Sequence, residues 1–176
     1  MPFLSRKFSR SKWEGCDPYK PDEIPADAIT SDLRTSANTL SFWICTDEEV
    51  ARRDLRTTVL AMAANYERLD KIDVCWISEA EAEDAGLILN PSSGATPVES
   101  LRSLHVDVVQ LDLGQIRKLA CLITAALAAN RFLQVTRKDV LGIIVAAVRN
   151  KQVQLDALQD KLRQEVQKEL SKAISE

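Results

Sequence analysis

Residues that build the commonest catalytic and phosphate-binding sites are scarce in this chain of 176 residues. There is one histidine, His105, there are five glycines, and neither GxGxxG nor GxxxxGK[ST] occurs. The four cysteines include no CxxC pair, so a structural zinc site lacks its ligands. These absences argue against dinucleotide, P-loop and zinc sites, and the sequence predicts no metal and no cofactor.

A single histidine also limits nucleophilic catalysis, because an attacking Ser or Cys needs a base within hydrogen-bond reach. His105 begins a predicted strand, at the end opposite the helix starts where α/β enzymes keep their sites. A structural role for His105 is therefore favoured, and no GxSxG motif offers another route. No catalytic residue is predicted, and a non-enzymatic protein is favoured.

Long hydrophobic runs are also missing from the chain. The longest, Leu119 to Ala129, is far shorter than the roughly 20 apolar residues of a membrane span. A net charge of −3 and a pI near 5.3 give no overall attraction for nucleic acid, so any such binding has to be local. Cys45, Cys75 and Cys121 lie inside apolar runs, where a free cysteine behaves as a small buried hydrophobic residue. Free thiols are typical of a reducing compartment. We expect a cytoplasmic protein without a membrane partner.

Three short segments rich in β-branched and aromatic residues predict strands at 39–45, 71–77 and 105–112. Helical patterns separate them, and strands that alternate with helices normally pair in parallel through right-handed crossovers. The prediction is an α/β core domain over residues 38–135. It is a small three-layer fold, with a short, mainly parallel sheet of about three strands flanked by helices.

Helix starts are marked by capping pairs, in which a side-chain oxygen accepts from the backbone N–H three residues later and a Glu or Gln reaches back. The pairs are Thr46/Glu49, Ser78/Glu81, Thr96/Glu99, Asp112/Gln115 and Thr136/Asp139. The first and fourth open the long helices predicted at 47–67 and 115–132. The junctions FWICTDEE and CWISEAE resemble one another, so the same strand-to-helix turn is expected twice.

Four carboxylates follow the second predicted strand, within the stretch VCWISEAEAEDAG of residues 74–86. Glu81 is explained as half of a capping box, and Glu79 as a first-turn acid favoured by the helix dipole. A metal site would need further ligands from a neighbouring strand end, such as Asp47 or Asp112. The structural explanation is favoured, and the metal-binding one stays open only if those strand ends adjoin.

Residues 1–37 carry four of the six prolines and few periodic apolar positions, which predicts an extended N-terminal arm. Cations and aromatic residues interleave near its start, and the candidate partner-binding residues there are Arg6, Lys7, Phe8, Arg10, Lys12 and Trp13. Such a segment can dock on an acidic protein surface, track a phosphate backbone, or fold back on its own domain.

Residues 136–176 form a predicted C-terminal helical region. Beyond Asn150 only a narrow apolar stripe continues, and its candidate partner-binding residues are Leu155, Leu158, Leu162, Val166 and Leu170. The steps between them average about 3.75 residues, which is nearer to a straight amphipathic helix than to a left-handed coiled coil. This long helical extension is expected to pack on the core, on a second copy or on a partner.

These features together favour a non-enzymatic accessory, adaptor or immunity-type subunit of the bacterial cytoplasm. It would bind another protein, or a second copy of itself, through the arm and the C-terminal helix. One alternative is a nucleic-acid-associated subunit that uses the basic arm, whose binding would weaken steeply with salt. Another is a small α/β enzyme with its site at the C-terminal ends of the strands.

Overall fold

A computed structural model describes residues 2–172 of the chain and contains six strands and eight α-helices in that range. The strands are β1 (Phe3–Phe8), β2 (Leu40–Cys45), β3 (Ile72–Ser78), β4 (Ile88–Pro91), β5 (His105–Val109) and β6 (Phe132–Val135). The helices are α1 (Arg10–Trp13), α2 (Ala26–Asp32), α3 (Asp47–Arg52), α4 (Arg56–Ala63), α5 (Glu79–Asp84), α6 (Leu113–Ala128), α7 (Arg137–Arg149) and α8 (Asp160–Lys172). Short 3-10 helices lie at Pro21–Glu23, Glu99–Leu104 and Leu155–Ala157.

All six strands form one antiparallel sheet in the order β4-β5-β2-β1-β3-β6. The predicted short, mainly parallel sheet of three strands is therefore wrong. Strands β2 and β3 do run in the same direction, but β1 lies between them and pairs antiparallel with both. The helical connection from β2 to β3 crosses over a strand that local sequence patterns did not reveal.

The first strand lies at the centre of the sheet, although its residues fall within the predicted arm of residues 1–37. Its backbone pairs with β3 along all six residues. Alternate side chains of a strand point to opposite faces, and Leu4 and Phe8 are thereby buried in one core. Helices α1 and α2 contribute Trp13 and Ala28 to the same core. The segment is thus a structural part of the domain.

Two of the predicted long helices are interrupted. The 47–67 segment divides into α3 and α4 at Arg53 and Leu55, which both have left-handed backbone conformations, with φ of 53° and 40°. The C-terminal region divides into α7 and α8, and Lys151 has a left-handed conformation just after α7. Among the helices of residues 2–172, none combines the length and the hydrophobicity that a membrane-spanning segment requires.

Predicted side-chain caps are present at four of the eight α-helix starts within residues 2–172. Complete capping boxes form at Ser78/Glu81 and Asp112/Gln115, and Thr46 and Thr136 each accept from the backbone N–H three residues later. The prediction is wrong at Thr96/Glu99, where the segment is a 3-10 helix that begins after Val98. Local sequence therefore determines where these helices begin, independently of how the strands are ordered.

Helices cover both faces of the sheet and create two separate cores. On the first face, α4, α7 and α8 pack on β2, β3 and β6 around buried residues such as Val74, Ile144 and Leu162. On the second face, α1, α2, α5 and α6 pack around Phe42 and Ile123. Burial of apolar surface on both faces supplies the main stabilising contribution.

The helical layer on the first face is incomplete. Within the described residues, its core contains no side chain from β4 or β5. The first-face positions that no helix covers are Ser41, Ile88, Asn90, His105, Asp107 and Val109, which we call the open half of the sheet. The part of the same face that lies under α4, α7 and α8 is the covered half.

Candidate functional site

A polar cleft of about 470 Å³ lies at the boundary between the covered and open halves, and we call it the sheet cleft. Its floor contains Lys7, Ser41 and Trp43 from the two central strands. One wall is the end of α4, with Asn65 and Tyr66 just beyond it. The other lining residues are Arg6, Ser9, Ser31, Asp32, Ala61, Met62 and Ala95.

The sheet cleft exists because β1 and β2 separate after three residue pairs. Their pairing ends at Ser5↔Trp43, whereas β1 stays paired with β3 along its whole length. Arg6 fills the gap, since its Nη1 donates to the carbonyl oxygen of Ser41 (2.6 Å) and its Nε donates to that of Asp32 (3.0 Å). A guanidinium group thus takes the place of strand-to-strand hydrogen bonds.

Arg6 also brings positive charge into the sheet cleft. Burial lowers the pKa of its guanidinium group, and the nearby Asp32 carboxylate acts in the opposite direction. An arginine nevertheless stays protonated at neutral pH. Its two hydrogen-bond partners are neutral carbonyls, and its Nη2 has no partner within residues 2–172. Donor capacity therefore remains for a ligand.

Lys7 is the exposed cation of the sheet cleft. Its Nζ lies 4.9 Å from the centre of the Tyr66 ring, and no carboxylate pairs with it in the part of the chain that the structure describes. Burial raises the pKa of the Tyr66 hydroxyl, so the phenol is neutral at physiological pH. Strand alternation directs Arg6 and Lys7 to opposite faces, and the gap beside β1 lets both of them line one cleft.

Asp32 is the one carboxylate among the lining residues, and donors surround it. It accepts from the backbone N–H and the hydroxyl of Ser9 (2.7 and 2.9 Å), from Nε1 of Trp13 (2.7 Å) and from the Ser31 hydroxyl (3.1 Å). These bonds fix α1 and α2 beside the end of β1. Two cations therefore share the cleft with a single, fully hydrogen-bonded carboxylate, which leaves the lining with a net positive charge.

The second wall of the sheet cleft is the loop that follows β4. Gly94 of this loop lies so close to Trp43 that a β-carbon there would be 2.5 Å from the indole ring and 2.9 Å from the His105 side chain. Glycine is therefore required for the loop to lie on the indole. A second cleft of about 400 Å³ adjoins the first, and both are lined by Asn65 and Ala95.

A row of hydrogen bonds runs from the cleft floor across the open half. Ser41 Oγ donates to Asp107 Oδ1 (2.9 Å), Ser92 Oγ donates to Asp107 Oδ2 (2.7 Å), and Ser92 Oγ lies 2.7 Å from Nδ1 of His105. The Ser92 hydroxyl has one hydrogen, which it donates to Asp107. Nδ1 of His105 is therefore the donor in its hydrogen bond with Ser92 Oγ. In a catalytic triad the imidazole lies between the serine and the carboxylate, and here it does not. The row anchors the loop to the sheet.

His105 lies at the same end of the strands as the C-terminal residues of β2 and β3. Its predicted position at the opposite end of the strands is therefore wrong. In an antiparallel pair β5 begins where β2 ends, and His105 is paired with Trp43. The two rings meet edge to face with their centroids 5.1 Å apart. This contact holds the indole that forms the floor of the sheet cleft.

The other candidate residues of the N-terminal segment are distributed over different surroundings. Phe8 and Trp13 are buried in the second-face core. Arg10 places its Cζ 4.5 Å from the centre of the Phe132 ring, and Lys12 is exposed on α1. Of the six candidates, only the two cations described above line the sheet cleft.

The candidate residues of the C-terminal stripe belong to the first-face core. Leu158, Leu162 and Val166 are 3%, 0% and 0% exposed, and Leu155 and Leu170 are partly buried against the same core. Charged residues at the three buried positions would unfold the domain rather than isolate a contact with a partner. In this structure the stripe is used by the chain itself.

Two acidic residues that follow β2 and β3, Glu49 and Glu81, stabilise neighbouring elements. Glu49 accepts from the backbone N–H groups of Thr57 (2.6 Å) and Thr58 (3.1 Å), and so caps α4. Glu81 forms a bidentate pair with Arg131 at 2.5 and 2.8 Å, which lowers the pKa of that carboxyl to about 2. Within residues 2–172 no group of three His, Cys, Asp or Glu side chains could hold a metal ion.

A larger cleft of about 740 Å³ is lined mainly by α4, α7 and the β6 segment. Two of its charged residues, Asp54 and Arg56, pair with each other at 3.8 Å, and Asp139 takes part in the start of α7. It lacks the hydrogen-bonded polar floor and the aromatic walls of the sheet cleft. The sheet cleft is therefore the stronger candidate site.

Composition alone singled out Arg6 and Lys7, but the residues that complete the cleft were missed, and the principal ones are Ser41, Trp43, Asn65 and Tyr66. These come from segments far apart in sequence, and no local spacing joins them.

No family model, curated protein or solved structure matches this chain. Function is therefore inferred from the geometry of the cleft.

Proposed function

We propose that this chain is a non-enzymatic accessory or adaptor subunit that holds a segment of another protein in the sheet cleft. The observation that supports the proposal is the interruption of the helical layer beside β1. There a concave surface of about 470 Å³ combines two cations, two aromatic rings and several hydroxyl groups. Ligand-binding sites are typically cavities in which a few polar groups point toward the ligand.

The first strand and the open half of the sheet would together form the contact surface. Lys7 is exposed within the cleft, and Ser41 and Asn90 are exposed along the neighbouring strands. The C-terminal helix α8 serves this surface indirectly, because it belongs to the layer that supports the covered half. A cytoplasmic, bacterial setting is part of the proposal, and the four free cysteines are consistent with a reducing compartment.

The nucleic-acid alternative receives no specific support from the placement of the basic residues. Arg6 and Arg10 lie over the rings of Phe42 and Phe132, and strand alternation directs Lys7 to the other face. Only Arg6 and Lys7 meet in the sheet cleft, and Arg10 lies away from it, so the basic residues do not form one continuous track. The enzyme alternative would need a nucleophile and base at the strand ends, where the order of Ser, His and Asp does not match a triad.

The proposal can be tested by filling the sheet cleft without disturbing the cores. Ala95→Phe places a ring on an exposed lining position of both adjoining clefts, and Ala128→Phe adds the same bulk at the exposed end of α6. Each tagged variant would be returned to its host, and the captured complexes would be weighed by native mass spectrometry. We expect Ala95→Phe to lose a partner that wild type and Ala128→Phe retain. Equal capture by all three proteins would contradict the proposal.

A further inference from the structure

We propose that the sheet cleft recognises a carboxylate side chain on an extended acidic segment of the partner, with Lys7 and Arg6 as the charged contacts. This inference depends on the proposed binding function and specifies its chemistry. The juxtaposition that carries it is an exposed lysine and an incompletely paired arginine in one cleft beside the aromatic rings of Trp43 and Tyr66.

The sign of the charge in the cleft selects an anion. Lys7 contacts only the face of the Tyr66 ring, and Arg6 contacts main-chain carbonyls and the face of Phe42. Neither cation forms an ion pair with a carboxylate within residues 2–172. Asp32 already accepts four hydrogen bonds, so it has little remaining capacity to pair with an added cation.

The walls of the cleft favour a carboxylate carried on an apolar stem over a free inorganic anion. Tyr66, Trp43 and Met62 present apolar surface beside the two cations. A glutamate side chain can place its methylene groups against these walls while its carboxylate reaches Lys7. The hydroxyl of Ser41 and the amide of Asn65, both exposed, offer hydrogen bonds to the backbone of an extended segment.

The shape of the open half favours an extended segment. Ser41 pairs with Asp107 across β2 and β5, which lie about 4.8 Å apart, and Lys7 lies on the other side of the gap beside β1, so the three residues form a row across the sheet. A segment along this row would meet a positive end at Lys7 and a negative end at Asp107. Binding is thereby expected to have one orientation, with the acidic side chain at the β1 end.

The experiment uses the full chain and a capped hexaglutamate peptide as the probe, followed by isothermal titration calorimetry at an ionic strength of roughly 10 mM, where the Debye length is about 30 Å. A capped hexaglutamine peptide removes the charge, and inorganic phosphate tests a free anion. Lys7→Gln removes the exposed cation of the cleft. Lys12→Gln is the matched control, because Lys12 is an exposed lysine nearby in sequence that does not line the cleft.

We expect hexaglutamate to bind wild type and Lys12→Gln alike, and Lys7→Gln about two- to fivefold more weakly, as for one exposed ion pair. Hexaglutamine should bind less tightly than hexaglutamate. The inference is overturned if the two lysine variants behave identically, or if inorganic phosphate shows the same dependence on Lys7. It is also overturned if the two peptides bind equally, or if neither binds.

Failure of this inference can be distinguished from failure of the binding function. If Ala95→Phe loses the cellular partner while hexaglutamate binding does not depend on Lys7, the cleft binds a protein segment of different chemistry. If Ala95→Phe retains that partner, the proposed function itself fails.

Discussion

The covered and open halves of the first sheet face are held together by different interactions. In the covered half, Val74 and Trp76 of β3 pack under three helices in a hydrophobic core. In the open half, the loop after β4 is attached by hydrogen bonds along Ser41, Asp107 and Ser92. Apolar burial gives large stabilisation, whereas a hydrogen bond contributes only about 0.5–1.5 kcal/mol net.

Under the proposed function, the two halves have different roles. The covered half stabilises the sheet, and the open half presents polar groups that stay in contact with water. Loops and bare surfaces carried by a rigid scaffold are where binding residues are usually found. Substitutions in the covered half should therefore lower the free energy of unfolding, and those in the open half should mainly alter binding.

The largest effect is expected at Leu162, a residue of α8 that is fully buried in the first-face core. Leu162→Ala should lower the free energy of unfolding by about 2–5 kcal/mol, because it removes buried methyl groups and leaves a cavity. Ile88→Ala in the open half should stay within about 0.5 kcal/mol, since Ile88 is 46% exposed. Urea denaturation of both variants measures the difference. Similar losses would show that the open half is also part of a core.

The next largest effect is expected at Glu49, whose carboxylate caps α4 and thereby supports the covered half. Glu49→Ala should lower the free energy of unfolding by about 1.5–3 kcal/mol, because two backbone N–H groups lose a charged acceptor. Glu48→Ala is the control, since Glu48 is exposed and its one ion pair among residues 2–172 is with Arg52 on the surface. Thermal denaturation of the two variants measures both losses of stability. An equal loss in Glu48→Ala would show that the effect comes from the charge of α3 rather than from the cap on α4.

Beside the open half, Gly94 of the loop after β4 lies in close contact with the Trp43 ring. Gly94→Ala should cost about 1–3 kcal/mol, because the new methyl group would overlap the Trp43 ring and the loop would have to move. Movement of the loop should also change the fluorescence of Trp43, whereas the other two tryptophans, Trp13 and Trp76, are buried elsewhere. A variant with unchanged stability and fluorescence would contradict the close contact.

Local patterns were sufficient to predict several elements of the fold. Strands β2, β3 and β5, helix α6 and the caps at Ser78 and Asp112 follow from runs of residues and spacings of three. The antiparallel order could not be predicted in this way, because pairing joins segments that are distant in sequence. The segment FLSRKF contains two adjacent cations, which argue against a central strand. The gap between β1 and β2 accommodates one of them, and only the tertiary structure reveals it.

The candidate site was predictable only in part, for the same reason. Interleaved cations and aromatics drew attention to Arg6 and Lys7, and both line the sheet cleft. The same pattern also included Phe8 and Trp13, which are buried, because composition does not distinguish a side chain in a core from one on a surface. The apolar stripe of α8 was equally ambiguous, since a helix that docks within its own domain and one that binds a partner have the same period.

The smallest effect concerns the ion pair between Glu81 of α5 and Arg131, which lies just before β6. The folded state holds the pKa of Glu81 at about 2, against an ordinary value of 4.5, so the stabilisation is present above pH 4.5 and is lost as the pH falls toward 2. Its size is limited by solvent screening, because the Glu81 side chain is 39% exposed. Between these pH values, wild type should lose slightly more stability than Glu81→Gln in urea denaturation. Arg131→Met should raise the pKa of Glu81 toward its ordinary value in an NMR titration, and an unchanged pKa would show that Arg131 is not the cause.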